Sequence, residues 1–163
     1  RAGAAAKTAR AERYDPAADA WEGIADLPRP MIAAAVSAGA FLWLFPAGDD
    51  PALRYDPARD EYAPAGPLPL PAYHCFTAAG GGASDPLGVY LVGGTTRGKW
   101  TGRCFRAAVP PPTGGGGGGS RDGEEEEGPA VREEIMMPPL VWEELPSLAM
   151  PRRRAAVVVL EMN

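Results

Sequence analysis

The side chains that could carry out catalysis are few in this chain of 163 residues. Its one histidine, His74, is followed directly by Cys75. Neighbouring residues of a strand point to opposite faces, so these two cannot bind the same metal ion, and zinc or copper sites need several such ligands. The sequence has no Gly-x-Ser-x-Gly turn, and Gly80-Gly81-Gly82 lacks the Lys-Ser/Thr pair of a phosphate-binding loop. We therefore predict no catalytic residue, no metal site, no cofactor and no enzyme activity, and a structural role for His74.

A second group of side chains is suited to binding rather than to catalysis. The segment from Gly93 to Arg103 places Arg97, Lys99 and Trp100 in a glycine-rich turn. Such a turn presents its side chains to solvent, and Trp and Arg are enriched among the residues that dominate interface energies. The segment predicts either contact with a partner or packing of Trp100 onto its own loop.

The composition restricts the fold class and the compartment. Glycine (21 residues) and proline (19 residues) are the two worst helix formers, and the chain has no apolar run long enough to span a membrane. A turn-rich, mostly β domain is the class that remains. Two cysteines, Cys75 and Cys104, are too few for a disulfide scaffold, which favours free thiols in a reducing, cytoplasmic compartment and leaves one bridge open.

The net charge of −5 lies in one segment. Residues 107–139 contain seven acidic and two basic side chains, and the rest of the chain is balanced. We therefore expect neither nucleic acid nor a membrane surface as a partner. The same segment combines a proline triplet, six consecutive glycines and the run Glu124–Glu127, so it is predicted to be a disordered loop insertion.

The chain repeats itself at an offset of 41 residues. Tyr14-Asp15-Pro16 matches Tyr55-Asp56-Pro57, and the same offset pairs Trp21 with Tyr62. A third copy is stretched by insertions and places Phe105 at the tyrosine position and Trp142 at the tryptophan position. Short apolar runs between turn signals give four strands in each unit, which is typical of a β-propeller blade.

The repeat resembles the kelch family. Its pattern is an apolar strand ending in Gly-Gly, then a tyrosine, then a tryptophan, and the third copy carries it most fully with Gly93-Gly94, Phe105 and Trp142. The resemblance covers most of the chain outside residues 107–139. It implies an all-β, kelch-type propeller whose aromatic positions fill the space between blades; the implied core positions are Tyr14, Trp21, Tyr55, Tyr62, Gly93, Gly94, Phe105 and Trp142.

The kelch pattern also implies the organisation of the chain. Residues 32–72 and 73–150 are expected to form two full four-stranded blades, with partial blades at 10–31 and 151–163 and a remnant of a preceding blade at 1–9. Propellers close with about four to eight blades. We therefore expect a piece of a longer propeller, completed by further blades in cis or by self-association.

The function implied by the resemblance is a protein-interaction scaffold, with substrate recognition in a ubiquitin-ligase adaptor as one such role. In kelch adaptors, the loops between strands 2 and 3 and between strand 4 and the next strand 1 contact the partner. These loops contain the candidate contact residues, which are Arg97, Lys99, Trp100, Arg29, Tyr73 and Arg152.

The alternative function is part of a propeller enzyme, a galactose-oxidase-like oxidase or a sugar epimerase, with catalytic residues outside this chain. Galactose oxidase is a copper enzyme that uses two histidines and two tyrosines, and a chain whose one histidine is His74 cannot supply that set. Clustered histidines and tyrosines in adjoining sequence would favour the enzyme, and an attached adaptor domain would favour the scaffold.

Overall fold

The computed structural model describes residues 8–74, 76–81, 85–109 and 138–151. Four of the features predicted above therefore lie outside the described residues: most of the 107–139 insertion, the segment 1–7, Cys75 and Arg152 with the strand predicted after it. Within the described part there are thirteen strands and no helix, so the all-β class is confirmed. The strands are β1 (Ala11–Asp15), β2 (Ala20–Ile24), β3 (Ala33–Ala38), β4 (Phe41–Pro46), β5 (Ala52–Asp56), β6 (Glu61–Gly66), β7 (Tyr73–His74), β8 (Thr77–Gly80), β9 (Gly88–Val92), β10 (Thr95–Thr96), β11 (Lys99–Trp100), β12 (Cys104–Ala108) and β13 (Trp142–Leu145).

The strands form four antiparallel sheets. β3-β4-β5-β6 make one four-stranded sheet and β8-β9-β12-β13 make a second, each with its strands in chain order. β1 and β2 form a two-stranded hairpin, and β7, β10 and β11 form a small three-stranded sheet. The two larger sheets fall within the ranges 32–72 and 73–150, and His74 belongs to the small sheet.

The two four-stranded sheets pack against each other through an aromatic core. Trp43 and Phe45 from β4 meet Leu91 and Phe105 of the second sheet in one cluster of buried side chains. Trp142 packs at the edge of this cluster, with its ring 5.7 Å from the Phe45 ring. Its indole Nε1 donates to the Pro67 carbonyl oxygen at 3.0 Å, so Trp142 joins the last strand of one sheet to the segment that leaves the other.

The hairpin β1–β2 packs on the opposite face of the first sheet through a smaller cluster. Ile24 and Leu27 lie against Leu44, Leu53 and Tyr55. Three described side chains are buried at this contact, whereas the cluster between the two larger sheets buries ten from the sheets themselves. Because each buried large apolar side chain contributes roughly 1.5–3 kcal/mol, the hairpin is the more weakly held unit.

The repeated Tyr-Asp-Pro sequence forms the same turn twice. Asp15 and Asp56 each accept a hydrogen bond from the amide two residues later, with N–H···Oδ1 distances of 2.8 and 2.9 Å. Each turn ends on an aspartate in the left-handed region, Asp19 at φ 49° and Asp60 at φ 54°. The preceding tyrosine hydroxyl, of Tyr14 or Tyr55, donates to that second aspartate. The repeat is therefore a hydrogen-bonded hairpin of defined geometry, since Asp tolerates this backbone conformation better than most residues.

The second of these hairpins also holds the unit before it. Asp60 Oδ1 accepts from the Ala25 amide at 2.8 Å and from the Tyr55 hydroxyl at 2.8 Å. These two donors hold the pKa of the Asp60 carboxyl below its ordinary value. Burial, and then the Asp60 bond, raise the pKa of Tyr55 to about 12.

The third copy departs from this register. Tyr14 lies directly opposite Trp21 and Tyr55 directly opposite Tyr62, but Phe105 lies opposite Glu144, and Trp142 opposite Ala107. The equivalence of Trp142 with the two earlier aromatics therefore fails by two residues. The cause is local: no Asp-Pro follows Phe105, so β12 continues to Ala108 where β1 and β5 stop at the aspartate.

The second sheet is tied to its 85–88 turn by a charged cluster. Arg106 donates twice to the Asp85 carboxylate, at 2.7 and 2.8 Å, and the Tyr90 hydroxyl donates to the same group at 2.7 Å. Both members of the ion pair are partly covered. The Arg106 and Tyr90 bonds together lower the pKa of Asp85.

Substituting Tyr55→Phe is expected to lower the free energy of unfolding by about 1 kcal/mol, because it removes a hydrogen bond inside a packed contact. Tyr14→Phe removes the same bond in the repeated, exposed hairpin and is the matched control, with a much smaller expected loss. Urea unfolding of both variants measures the difference. Equal losses would show that the packing around Tyr55 does not matter to this bond.

Asp85→Asn is expected to destabilise the protein at neutral pH and to matter less in acid. The pKa of Asp85 is lower in the folded chain than in the unfolded one, so its stabilising effect is complete above about pH 4 and is lost as the pH falls through the folded pKa. Thermal unfolding across this range should show the wild type and Asp85→Asn converging at low pH. Glu12→Gln, at an exposed position, is the control, and a constant gap for Asp85→Asn would contradict the assignment.

Candidate functional site

Loops from the β1–β2 hairpin and from both four-stranded sheets meet along one edge of the structure. Arg29, which follows the first hairpin, forms an ion pair with Asp50 at 2.6 Å. Asp49 Oδ1 accepts from the Ala72 amide at 2.6 Å, and the Thr96 hydroxyl donates to the Pro71 carbonyl at 2.6 Å. We call this edge the loop face; it comprises residues 27–31, 46–51, 67–74 and 93–103. It brings together the strand 2–3 and strand 4–1 loops that the sequence singles out.

Tyr73 is the anchor of the loop face and not part of its surface. Its side chain is fully buried, its ring stacks on Phe76 at 4.5 Å, and its edge meets Phe105. Its hydroxyl donates to the Gly93 carbonyl at 2.6 Å, and its backbone exchanges two hydrogen bonds with Gly48. The sequence prediction that Tyr73 contacts a partner is therefore wrong for its side chain, because the core of the second sheet covers the ring. Burial also raises the pKa of its hydroxyl.

The small sheet carries the exposed candidates at its tip. β10 and β11 are joined by the two-residue turn Arg97-Gly98, with φ values of 49° and 74°. Positive φ at both positions is the geometry of a type I′ turn, whose twist matches that of the flanking strands. Arg97 and Lys99 are exposed, and Trp100 is 51% exposed. The tip thus displays two cations beside an indole ring.

Gly94 allows the hairpin to approach the linker closely. Its φ is 95°, and a Cβ at this position would lie 2.6 Å from the His74 carbonyl oxygen and 2.9 Å from the Phe76 backbone. Gly93, beside it, is buried and receives the Tyr73 hydroxyl. Gly94 is therefore needed where the hairpin leaves the second sheet, since no larger side chain fits, and the φ of 65° at Gly93 also favours glycine.

The remaining predicted residues divide by burial. Tyr55 and Phe105 are buried, and Tyr62 and Trp142 are half-buried between units. Tyr14 and Trp21 are 46% and 69% exposed, unlike the core placement that the repeat predicts. The reason is positional: the corresponding face of the first sheet is covered by the β1–β2 hairpin, and no described residue covers the hairpin in the same way.

Sequence reasoning missed the residues that support the loop face. Asp49 holds Ala72 in the left-handed region at φ 47°, and Thr96 fixes the tip against Pro71. The Asp49-Asp50 pair within a proline-flanked loop was a usable signal, because a short acidic side chain often accepts from a nearby backbone amide. The amide that Asp49 binds belongs to Ala72, 23 residues later, and the local sequence pattern does not indicate so distant a partner.

The chemical groups that the loop face exposes are the Arg97 and Lys99 cations and the Trp100 indole. Among the described residues, no three His, Cys, Asp or Glu side chains are grouped as a metal site would require. Cys104 is a buried free thiol. The described part of the chain also contains no helix that could cross a bilayer.

No protein-family model matches the chain, and no curated protein matches it at significant similarity.

Alanine substitutions at Gly94 and Gly98 should separate the steric cost of an added methyl group from the cost of the backbone conformation. Gly98→Ala meets no atom within 4 Å, so only the positive φ costs stability, by about 1 kcal/mol. Gly94→Ala has the same conformational cost and a steric one, for a further loss of about 1–3 kcal/mol. Chemical unfolding of the two variants measures both, and equal losses would show that the linker yields to the added methyl group.

Proposed function

We propose that this protein is a protein-interaction scaffold of the kelch type, in which packed β-sheets display the loop face to a partner protein. The observation that carries the proposal is the β10–β11 tip, where Arg97, Lys99 and Trp100 stand exposed on a hairpin of defined turn geometry. Exposed Trp and Arg on a rigid base are the residue types that dominate interface energies.

The rigidity of the base supports this function. β10 pairs with β7, and β7 is held by the buried Tyr73 ring and its bond to Gly93. A preorganised surface loses little conformational entropy on binding. The cations at the tip would therefore meet a partner in a position set by the core and not by loop motion.

The charge of the tip defines the chemistry of the partner. Within the part of the chain that the structure describes, no carboxylate forms an ion pair with Arg97 or Lys99, whereas Arg29 is neutralised by Asp50. We infer that the partner brings carboxylates to the tip and an apolar group to Trp100, with Arg29 in a positioning role. The kelch-type propeller architecture, a role in a ubiquitin-ligase adaptor and a cytoplasmic location belong to the same proposal.

The experiment is affinity capture with the triple variant Arg97→Ala, Lys99→Ala and Trp100→Ala. The variant is expected to lose the specific partner of the wild type and to keep its unfolding temperature, because all three side chains are exposed. Capture by the wild type should also weaken with added salt, as charge pairing at an exposed surface does.

The matched control removes two exposed cations from outside the loop face, with Arg10→Ala and Arg59→Ala. This variant should retain the partner. Capture that is unchanged in the triple variant, or lost equally in the control, would overturn the assignment of the surface.

A further inference from the structure

The chain contains the same kind of contact between consecutive units twice. In each, an apolar segment at the end of the last strand of one unit, called its outermost strand, packs against the next unit. The contact involves the hairpin of that next unit that carries the repeated tyrosine or phenylalanine. In the first contact, Ile24 and Leu27 lie against Leu44, Leu53 and Tyr55, and Tyr62 packs on the same cluster. In the second, Ala65 and Leu68 lie in the cluster that contains Phe105 and Trp142. Each such contact therefore joins two parts. We call the aromatic hairpin face that covers a neighbouring unit the holding face, and the apolar segment that it covers the held segment.

Among the residues that the structure describes, none covers the holding face of the first hairpin. Tyr14 and Trp21 lie opposite each other on β1 and β2, with ring centroids 5.5 Å apart, as Tyr55 and Tyr62 do at 4.8 Å. Asp19 repeats the φ of Asp60 and accepts from the Tyr14 hydroxyl. The same aromatic pair is covered in one hairpin and exposed in the other, where Trp21 is 69% accessible.

The corresponding segment of the second sheet belongs to neither apolar cluster of the described residues. The Leu148 amide donates to the Gly102 carbonyl at 2.7 Å, as the Leu27 amide donates to Ala9 at 2.8 Å. In both units the donor lies three residues after the outermost strand and the acceptor two residues before the strand beside it. Leu148 thus occupies the position of Leu27 and is half-buried, and Met150, two residues later, is 61% exposed.

We propose that a second copy of this chain covers the β1–β2 face with its own 145–151 segment, in a head-to-tail contact. The proposed contact continues an interface that the fold already forms, because within the described residues one such face and one such segment have no covering partner. A head-to-tail contact uses two different surfaces, so copies add stepwise or close into a ring. The β1–β2 face lies apart from the loop face, whereas the 145–151 segment borders the loop face at Gly102.

The contact is centred on apolar side chains, and Glu12 stands on β1 where the buried Leu53 stands on β5. Pro146 follows the outermost strand where Ala25 does, and it has no amide to donate, so the bond from Ala25 to Asp60 has no counterpart at Asp19. Burial of Trp21 against Leu145 and Leu148 supplies the attraction. Association is therefore expected to persist at high salt, in contrast to binding at the loop face.

The test measures the mass of the full chain by sedimentation velocity over about a hundredfold range of concentration, since association follows mass action. The wild type should pass from one chain to two and more. Trp21→Arg should weaken association by about thirtyfold or more, the effect of a central aromatic residue in an interface. Trp100→Arg, at an exposed tryptophan on the loop face, is the control and should associate like the wild type.

A mixing experiment separates head-to-tail from symmetric contact. Trp21→Arg retains the 145–151 segment and Leu148→Arg retains the hairpin face, so an equal mixture should form a species of two chains and stop there. The double variant should remain a single chain. If Leu148→Arg loses the cooperative unfolding of the wild type, Ser147→Arg, at an exposed neighbouring position, replaces it.

Three results would overturn the proposal. A wild type that stays a single chain at every concentration would show that another occupant, such as a further sheet in cis, uses the face. Undiminished association of Trp21→Arg, or failure of the mixture to recover a two-chain species, would exclude the head-to-tail arrangement. Each is independent of affinity capture at the loop face.

Discussion

The buried side chain of Tyr73 is the constraint on which the rest of the structure depends. It lies in the linker between the two four-stranded sheets, and it is bound at three points: to Gly48 through its backbone, to Gly93 through its hydroxyl, and to Phe76 and Phe105 through its ring. A buried hydroxyl needs its partner, since an unsatisfied one costs about 1–3 kcal/mol. The orientation of one sheet against the other and the position of the β10–β11 tip therefore follow from the same residue.

The two Tyr-Asp-Pro hairpins show how one local structure takes two roles. Their turns, their left-handed aspartates and their tyrosine–aspartate bonds agree. Tyr55 is nevertheless 4% exposed and Tyr14 is 46% exposed. The hairpin geometry is set within a few residues, whereas burial depends on what lies against the outer face. An aromatic pair that forms core in one unit is consequently an exposed hydrophobic surface in the other.

Two surfaces of different character result. The loop face presents cations and an indole on a preorganised hairpin, where charge contributes to specificity and to the rate of association. The β1–β2 face presents an exposed aromatic pair, so hydrophobic burial is the main attraction available to it. The partner binding and the self-association proposed above are therefore expected to respond differently to salt.

The sequence by itself determined the all-β class, the 41-residue repeat and the sites of the turns, because Asp-Pro, Gly-Gly and short apolar runs act over a few residues. It also placed Arg97, Lys99 and Trp100 at an exposed tip. Only the tertiary structure decided that Tyr73 is interior, that Trp21 is exposed, and that Trp142 is displaced by two residues from its expected register. These outcomes depend on contacts between residues distant in the chain, and packing against a neighbouring sheet leaves no mark on the local pattern.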